Sequence, residues 1–185
     1  RKRQGAHLGY NRIKQELNVQ TLVIANQKGG VGKTTTAVNL CASLAAMKRR
    51  VLLVDADPQA NATTGSGLEK VDETEGTSSA LLNLEGKRIF KTDGLGYDVM
   101  PSGPSLVAAE SELRTVDERE LALLKSLEPL KDKYDYVVID CPPSLNLLTI
   151  NGLRASKNLL VPMQCEYYAL EGLAGLIETI DQLNA

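Results

Sequence analysis

Residues 21–35 read TLVIANQKGGVGKTT, in which an apolar run leads directly into a glycine-rich turn and then into Lys-Thr-Thr. The run at 21–25 is rich in β-branched residues and predicts a buried strand, and helical periodicity begins after Gly32. Backbone N–H groups of such a turn, together with the positive end of the helix dipole, bind phosphate. Lys33 is placed to reach phosphate oxygens and the Thr34 hydroxyl to ligate Mg²⁺. The stretch therefore predicts a phosphate-binding strand, loop and helix.

Apolar runs alternate with longer segments of helical period along the rest of the chain. The predicted strands are 21–25, 51–54, 97–100, 136–139 and 158–161, and the predicted helices are 34–48, 77–84, 105–114, 118–130, 145–155 and 169–183. The strand runs are apolar at successive positions, which indicates strands buried on both faces. This alternation predicts an α/β fold, a mostly parallel sheet flanked by helices. Residues 65–76, rich in Gly, Thr and Glu, are predicted to form a solvated loop.

The chain divides at about residue 20 by its charge. Residues 1–20 carry a net charge of +4, which leaves −6 for the remaining 165 residues. We interpret 1–20 as a basic N-terminal arm and 21–185 as one phosphate-loop domain. The arm is either a loosely held leader or a contact for an acidic partner, and its sequence favours neither.

Composition excludes several classes of protein. Hydrophobic residues make up 43% of the 185 residues and charged residues 24%, which argues against a disordered or coiled-coil chain. The net charge of −2 provides no strongly basic field over the whole protein. Three widely spaced cysteines favour a reducing cytoplasm, and the single histidine, His7, argues against a multi-histidine metal site. No apolar run approaches the ~20 residues of a membrane span, so no integral membrane segment is predicted.

Two acidic segments follow predicted strands. They read VLLVDADPQAN at 51–61 and DYVVIDCPPS at 135–144. Ligands of open α/β sheets bind at the carboxyl ends of strands, and alternation along an extended chain sends Asp55 and Asp57 the same way. We expect Asp57 to orient an attacking water and Asp55 to support the Mg²⁺ shell. Cys141 has no basic neighbour in sequence and is predicted to be a packed structural thiol.

The glycine-rich turn departs from the general phosphate-loop pattern in two places. Gln27 stands where that pattern has glycine, and Lys28 adds a second lysine. Residues 28–35 resemble the deviant Walker A loop of the ParA/MinD ATPases, and residues 25–28 resemble its partitioning branch, ParA/Soj. The resemblance implies a P-loop NTPase fold of the deviant Walker A type. It also implies that Lys28 crosses a dimer interface to the partner's ATP, whereas a solvated surface lysine is the alternative.

The resemblance also implies a set of site residues. The residues implied to bind ATP are Lys28, Gly29, Gly30, Val31, Gly32, Lys33, Thr34, Thr35 and Pro142. The residues implied to be catalytic are Lys28, Lys33 and Asp57, and those implied to hold Mg²⁺ are Thr34, Asp55 and Asp140, the Walker B acid. Residues 161–173 resemble the segment that begins a helix at the dimer face. For Gln164 and Glu166 in this segment, two kinds of role stay open: helix capping or interface packing, and contact with the nucleotide.

Taken with the residues, the resemblance implies a cytoplasmic, Mg²⁺-dependent ATPase. Its ATP-bound homodimer is expected to bind DNA non-specifically, to associate with the nucleoid, and to release DNA after hydrolysis stimulated by a ParB-like protein. A MinD-like membrane-surface ATPase is one alternative, but it needs an amphipathic terminal helix that the sequence does not show. Asp57 and Asp140 disfavour a non-hydrolysing scaffold, and a small-molecule kinase would need an acceptor pocket. Relatives are expected to continue beyond residue 185 with further strand and helix units.

Overall fold

A six-stranded sheet forms the centre of the molecule in the computed structural model, which describes residues 19–72, 74–165 and 169–184. The strands are β1 (Gln20–Ile24), β2 (Val51–Asp55), β3 (Phe90–Lys91), β4 (Asp98–Met100), β5 (Tyr136–Asp140) and β6 (Asn158–Leu160). Their order across the sheet is β3-β4-β2-β5-β1-β6. Only the pairing of β3 with β4 is antiparallel among these strands. The predicted mostly parallel α/β sheet is confirmed.

Helices connect the strands and cover both faces of the sheet. The α-helices in the described part of the chain are α1 (Lys33–Ala46), α2 (Asn61–Gly65), α3 (Gly76–Leu82), α4 (Leu106–Leu113), α5 (Ala122–Leu127), α6 (Leu147–Ala155) and α7 (Ala169–Asn184). Short 3₁₀ helices at Arg119–Leu121 and Glu128–Leu130 flank α5. The Asn146 side chain caps α6 by accepting a hydrogen bond from the Thr149 N–H at 3.2 Å.

The core explains why the strands are apolar at successive positions. Leu52 and Val54 of β2 pack into one hydrophobic cluster together with Leu124 of α5. Leu53, which points to the opposite face of the same strand, packs into a second cluster with Cys41 of α1. Both faces of β2 are therefore covered, and all five of its residues are buried. Alternation of apolar and polar residues would leave one of these clusters without its side chains.

One local prediction was wrong, and two short elements were missed. The continuous helix expected at 118–130 is divided into three short helices. Glu118 has a left-handed φ of 55°, and Pro129 lacks the N–H that a continuing helix needs. The short helix α2 and the two-residue edge strand β3 were not predicted, because neither is long enough to show a period.

The predicted solvated loop at 65–76 is partly buried. Ser66 is buried, Gly76 begins α3, and the Val71 N–H donates to the Ser102 carbonyl at 3.2 Å. These contacts attach the segment to the chain that follows β4. Among the described residues, no helix is both long enough and apolar enough to cross a lipid bilayer.

Candidate nucleotide site

Three loops meet at the carboxyl ends of the adjacent strands β2, β5 and β1. Asp140, the last residue of β5, is in register with Asp55 of β2 on one side and with Ile24 of β1 on the other. The loop after β1 is the glycine-rich turn, and the loop after β2 contains Asp57. Since open α/β sheets bind ligands at this edge, the fold brings the predicted loop and acidic residues to one place.

The glycine-rich turn has a backbone that requires glycine at two positions. Gly30 has a φ of 74° and Gly32 a φ of 89°, both in the left-handed region. A Cβ built at Gly29, Gly30 or Gly32 would meet no atom of the described chain within 4 Å. Open space therefore borders the turn on the side where side chains would lie. Gly32 precedes α1 and has no side chain, so no side-chain cap occupies the first N–H groups of this helix.

Lys33 is held inside the turn. It is only 7% exposed, and its Nζ donates a hydrogen bond to the Lys28 carbonyl at 3.0 Å. Burial lowers the pKa of Lys33, and the negative charges of Asp140 and Asp57 oppose that effect. The ammonium group thus lies between the turn and the two acidic loops, where a phosphate group would contact it.

A half-buried threonine, Thr34, and a buried carboxylate, Asp140, form a pair beside the turn. The Thr34 hydroxyl donates to Asp140 Oδ2 at 2.8 Å, while Asp140 Oδ1 is buried with no hydrogen-bond partner among the described residues. Burial raises the pKa of Asp140 to about 7, chiefly because the charged form loses its hydration. An orphaned carboxylate oxygen next to a hydroxyl oxygen fits a hard divalent cation, and Mg²⁺ prefers such oxygen ligands.

Asp55 is occupied by hydrogen bonds from its own chain. Its Oδ2 accepts from the Thr63 N–H at 2.8 Å and from the Thr63 hydroxyl at 2.7 Å. Its Oδ1 accepts from the Asp57 N–H at 3.1 Å. Burial raises the pKa of Asp55 to about 6, although these hydrogen bonds oppose the rise. The observed contacts fix the loop after β2, and the predicted contribution of Asp55 to the Mg²⁺ shell stays a prediction.

Asp57 lies on that loop and is 8% exposed. Its Oδ1 accepts from the Gln59 N–H at 2.9 Å, and the Ala60 N–H donates to its carbonyl at 2.9 Å. These bonds form a tight turn that restricts the carboxylate. The charge of Asp57 acts on both Lys33 and Asp140, so the three groups share one electrostatic environment.

The other predicted residues surround this centre. Val31 is partly buried in the turn, and Thr35 is exposed on the first turn of α1. Pro142 is buried directly after Cys141, whose N–H donates to the Ile24 carbonyl at 3.2 Å. Cys141 is 1% exposed, and burial raises the pKa of its thiol, in agreement with the predicted packed thiol.

Two amide side chains tie the turn to the segment after β6. Asn26 Oδ1 accepts from the Lys28 N–H at 3.0 Å, and Asn26 Nδ2 donates to the Pro162 carbonyl at 2.8 Å. Gln164 Nε2 donates to the Gly30 carbonyl at 3.4 Å. Gln164 therefore contacts the turn, whereas Glu166 lies outside the described residues. Asn26 was not predicted to have a role, because its partner Pro162 is 136 residues away in sequence.

Comparison with known proteins identifies the family. A family model described as AAA domain matches residues 19–185. The chromosome partitioning protein ParA of Myxococcus xanthus is 53% identical over 162 residues, covering 86% of this chain and 57% of that protein. The sporulation initiation inhibitor protein Soj of Bacillus subtilis is 52% identical over 161 residues, covering 86% of this chain and 64% of that protein. The chain thus spans less than two thirds of the length of these two relatives.

A solved structure with the same fold contains a nucleotide. It is cobyrinic acid a,c-diamide synthase from Mycobacterium smegmatis with bound ATP analog and magnesium. Its TM-score is 0.82 at 39% sequence identity, covering 89% of this chain and 68% of that chain. The chain therefore belongs to the AAA domain family, and the ParA/Soj resemblance predicted from its glycine-rich loop is confirmed.

Proposed function

We propose that this chain binds ATP with Mg²⁺ and hydrolyses it, as an ATPase of the ParA/Soj type. One observation carries the proposal: the Thr34 hydroxyl lies 2.8 Å from Asp140 Oδ2, and the second oxygen of Asp140 is buried with no hydrogen-bond partner in the part of the chain that the structure describes. This arrangement stands at the base of a glycine turn with open space beside it. The similar structure that contains an ATP analog and magnesium supports the choice of ligand.

Nucleotide binding is assigned to the turn and to the start of α1. The left-handed glycines let the backbone curve around a phosphate group, and the first N–H groups of α1 add the positive end of the helix dipole. Lys33 supplies a full positive charge from a buried position, where attraction is less screened than in water. On nucleotide binding, its Nζ exchanges part of its contact with the Lys28 carbonyl for phosphate oxygens.

The metal ligands are assigned to Thr34 and Asp140. Their oxygens supply two ligands, and Mg²⁺ keeps several waters and takes others from phosphate. When bound, Mg²⁺ neutralises charge that builds on the phosphate oxygens during transfer. Ionised Asp140 is the form that attracts the cation, so cation binding opposes the effect of burial on this carboxyl group.

Asp57 is assigned to hold the attacking water. The Gln59 N–H fixes one carboxylate oxygen, and Asp55 fixes the backbone by accepting the Asp57 N–H. A carboxylate restricted in this way accepts a hydrogen bond from water and orients it for attack. Asp55 accordingly acts as a positioning residue for Asp57.

Lys28 is assigned to contact the ATP that is bound by a second copy of the chain. A cation supplied across a dimer interface stabilises charge that develops on the transferred phosphoryl group. We further propose that ATP favours a homodimer that binds DNA non-specifically in the cytoplasm and associates with the nucleoid. Stimulation of hydrolysis by a ParB-like protein completes the proposed cycle. The similarity to the chromosome partitioning protein ParA of Myxococcus xanthus supports this choice.

The experiment compares nucleotide binding, phosphate release and light scattering for wild type, Lys28→Ala and the control Lys70→Ala. Lys70 is an exposed lysine on the 65–76 segment. We expect Lys28→Ala to bind ATP and to lose turnover by ~10²-fold or more, since a charge acting on the transition state is removed. The control should match wild type. Equal turnover in Lys28→Ala and wild type would contradict the role across the interface, and nucleotide binding without turnover in wild type would indicate a scaffold.

A further inference from the structure

A buried threonine, Thr63, links the loop that contains Asp57 to a neighbouring part of the sheet. Thr63 lies in the middle of α2, eight residues after Asp55, and both residues are fully buried. The loop between them begins at the carboxyl end of β2 and includes the carboxylate that we assign to the attacking water. The contacts of Thr63 therefore bear on how this loop is held.

The Thr63 hydroxyl makes two hydrogen bonds of opposite direction. Its oxygen accepts from the Ser102 N–H at 2.9 Å, and the hydroxyl donates to Asp55 Oδ2 at 2.7 Å. Because a hydroxyl has a single hydrogen, an N–H on one side and a carboxylate on the other fix the direction in which that hydrogen points. A short bond from a hydroxyl to a carboxylate is also stronger than a bond between neutral groups. The Asp55 side chain is thereby tied to the segment that follows β4.

The backbone of Thr63 adds a second bond to the same carboxylate oxygen. The Thr63 N–H donates to Asp55 Oδ2 at 2.8 Å. The first N–H groups of a helix lack partners within the helix, and Ala60, which precedes α2, provides no side-chain cap. Asp55 therefore caps α2 from the end of β2, and Thr63 holds the carboxylate through both its backbone and its side chain.

The carboxylate that Thr63 holds fixes the start of the Asp57 loop. Its other oxygen, Asp55 Oδ1, accepts from the Asp57 N–H at 3.1 Å, and Asp57 Oδ1 accepts from the Gln59 N–H at 2.9 Å. Ala60 ends the loop with a left-handed φ of 57°, a conformation that is unfavourable for a residue with a Cβ. Rotation of the Asp55 carboxyl group would release the Asp57 N–H and allow this loop to relax.

We propose that Thr63 is a positioning residue for hydrolysis, which holds Asp57 in place through Asp55. The inference rests on the proposed function, in which Asp57 orients the attacking water, and adds the residue that sets the position of that aspartate. The glycine-rich turn is held by other contacts, those of Lys33 and Asn26. Loss of the Thr63 hydroxyl should therefore slow turnover and leave ATP binding in place.

The test compares phosphate release and calorimetric ATP affinity, both with Mg²⁺, for wild type, Thr63→Val and Thr63→Ser. Valine keeps the shape of threonine without its hydroxyl, whereas serine keeps the hydroxyl. Thr63→Ala, which places no methyl group at the hydroxyl position, is the second variant in case Thr63→Val folds poorly. The matched control is Thr21→Val near the amino end of β1. It removes another fully buried hydroxyl, which accepts from the Lys157 N–H at 2.9 Å.

We expect Thr63→Val and Thr63→Ala to lower kcat by about 10²-fold and to keep the ATP affinity of wild type, because a displaced group slows the chemical step. Thr63→Ser and Thr21→Val should stay close to wild type in both measurements. Wild-type kcat in Thr63→Val and Thr63→Ala would overturn the proposal. An equal loss of kcat in Thr63→Ser would also overturn it, because the hydroxyl would then not be the group that matters.

Amide hydrogen exchange in the nucleotide-free protein, followed by NMR, gives a readout that does not depend on ATP. We expect Thr63→Val and Thr63→Ala to speed exchange at the Asp57 and Gln59 N–H groups and to leave it unchanged at buried Val138 of β5. Unchanged exchange at Asp57, or an equal increase at Val138, would overturn the proposal, since Thr63 would then not act on the loop in particular. If wild type shows no turnover, the proposed ATPase fails, and the exchange comparison alone decides whether Thr63 positions Asp57.

Discussion

Replacing Asp140 with Asn should change how the stability of the nucleotide-free protein depends on pH. Asp140 is 1% exposed and accepts one hydrogen bond from Thr34, and its second oxygen has no hydrogen-bond partner among residues 19–72, 74–165 and 169–184. These surroundings raise its pKa from 3.8 to about 7 in the folded protein. The folded chain therefore keeps a proton at moderately acidic pH that the unfolded chain has released.

The sign and size of the effect follow from this difference in proton binding. Because the folded pKa is the higher one, the stabilisation is complete below the unfolded pKa of 3.8 and is lost as pH rises through about 7. Between about pH 5 and about pH 8 the loss from Asp140 amounts to about 2.5 kcal/mol. Asp55, with a pKa of about 6, lowers stability over the same range in the same direction. Asp140→Asn should therefore reduce the dependence of the free energy of unfolding on pH without removing it.

Urea unfolding of the metal-free protein at several pH values measures this profile. Asp132→Asn is the control, since it removes an exposed carboxylate at the opposite edge of the sheet. We expect the control to show the same decrease in the free energy of unfolding with rising pH as wild type. In Asp140→Asn this decrease should be less than half as large. Parallel profiles for wild type and Asp140→Asn would show that burial does not hold a proton on this carboxyl group.

Three further predictions concern other residues. Asp57→Ala should bind MgATP and accumulate as a dimer because the attacking water is not held, and light scattering showing only monomer in saturating MgATP would count against this. Asn26→Ala should weaken ATP binding ~10-fold in calorimetry, since the Lys28 N–H and the Pro162 carbonyl each lose a partner; unchanged affinity would remove Asn26 from the site. Gly152→Ala places a Cβ 2.8 Å from Cys141 Sγ and should lower the free energy of unfolding by about 1–3 kcal/mol, an effect that Cys141→Ala in the same chain should relieve.

The fold could be predicted where the sequence has a long and uniform pattern. The apolar runs of β2 and β5 indicate burial on both faces, and the two hydrophobic clusters on either side of the sheet account for them. The prediction of one helix at 118–130 was wrong because the backbone conformation of single residues outweighed the apolar periodicity. Glu118 takes a left-handed φ and Pro129 prevents the helix from continuing.

The candidate site was predictable only to the level of residue type. The sequence places carboxylates at the ends of two strands, but it does not show that Asp55 and Asp57 have different surroundings. Asp55 accepts two hydrogen bonds from Thr63, a residue eight positions further along the chain. Asn26 illustrates the same limit, because its contact with Pro162 depends on β6 lying beside β1. Such contacts follow from the tertiary arrangement, which a local pattern does not encode.

Calorimetric titration of wild type and Lys33→Ala with ATP, in Mg²⁺ and in EDTA, decides whether this edge of the sheet binds nucleotide. Lys33 donates a hydrogen bond to the Lys28 carbonyl of the turn, and its positive charge is buried beside that turn. The proposed site predicts that wild type binds ATP more tightly with Mg²⁺ than in EDTA and that Lys33→Ala shows no binding in either. Equal ATP affinity for both proteins, unaffected by Mg²⁺, would contradict the assignment of this edge of the sheet as the nucleotide site.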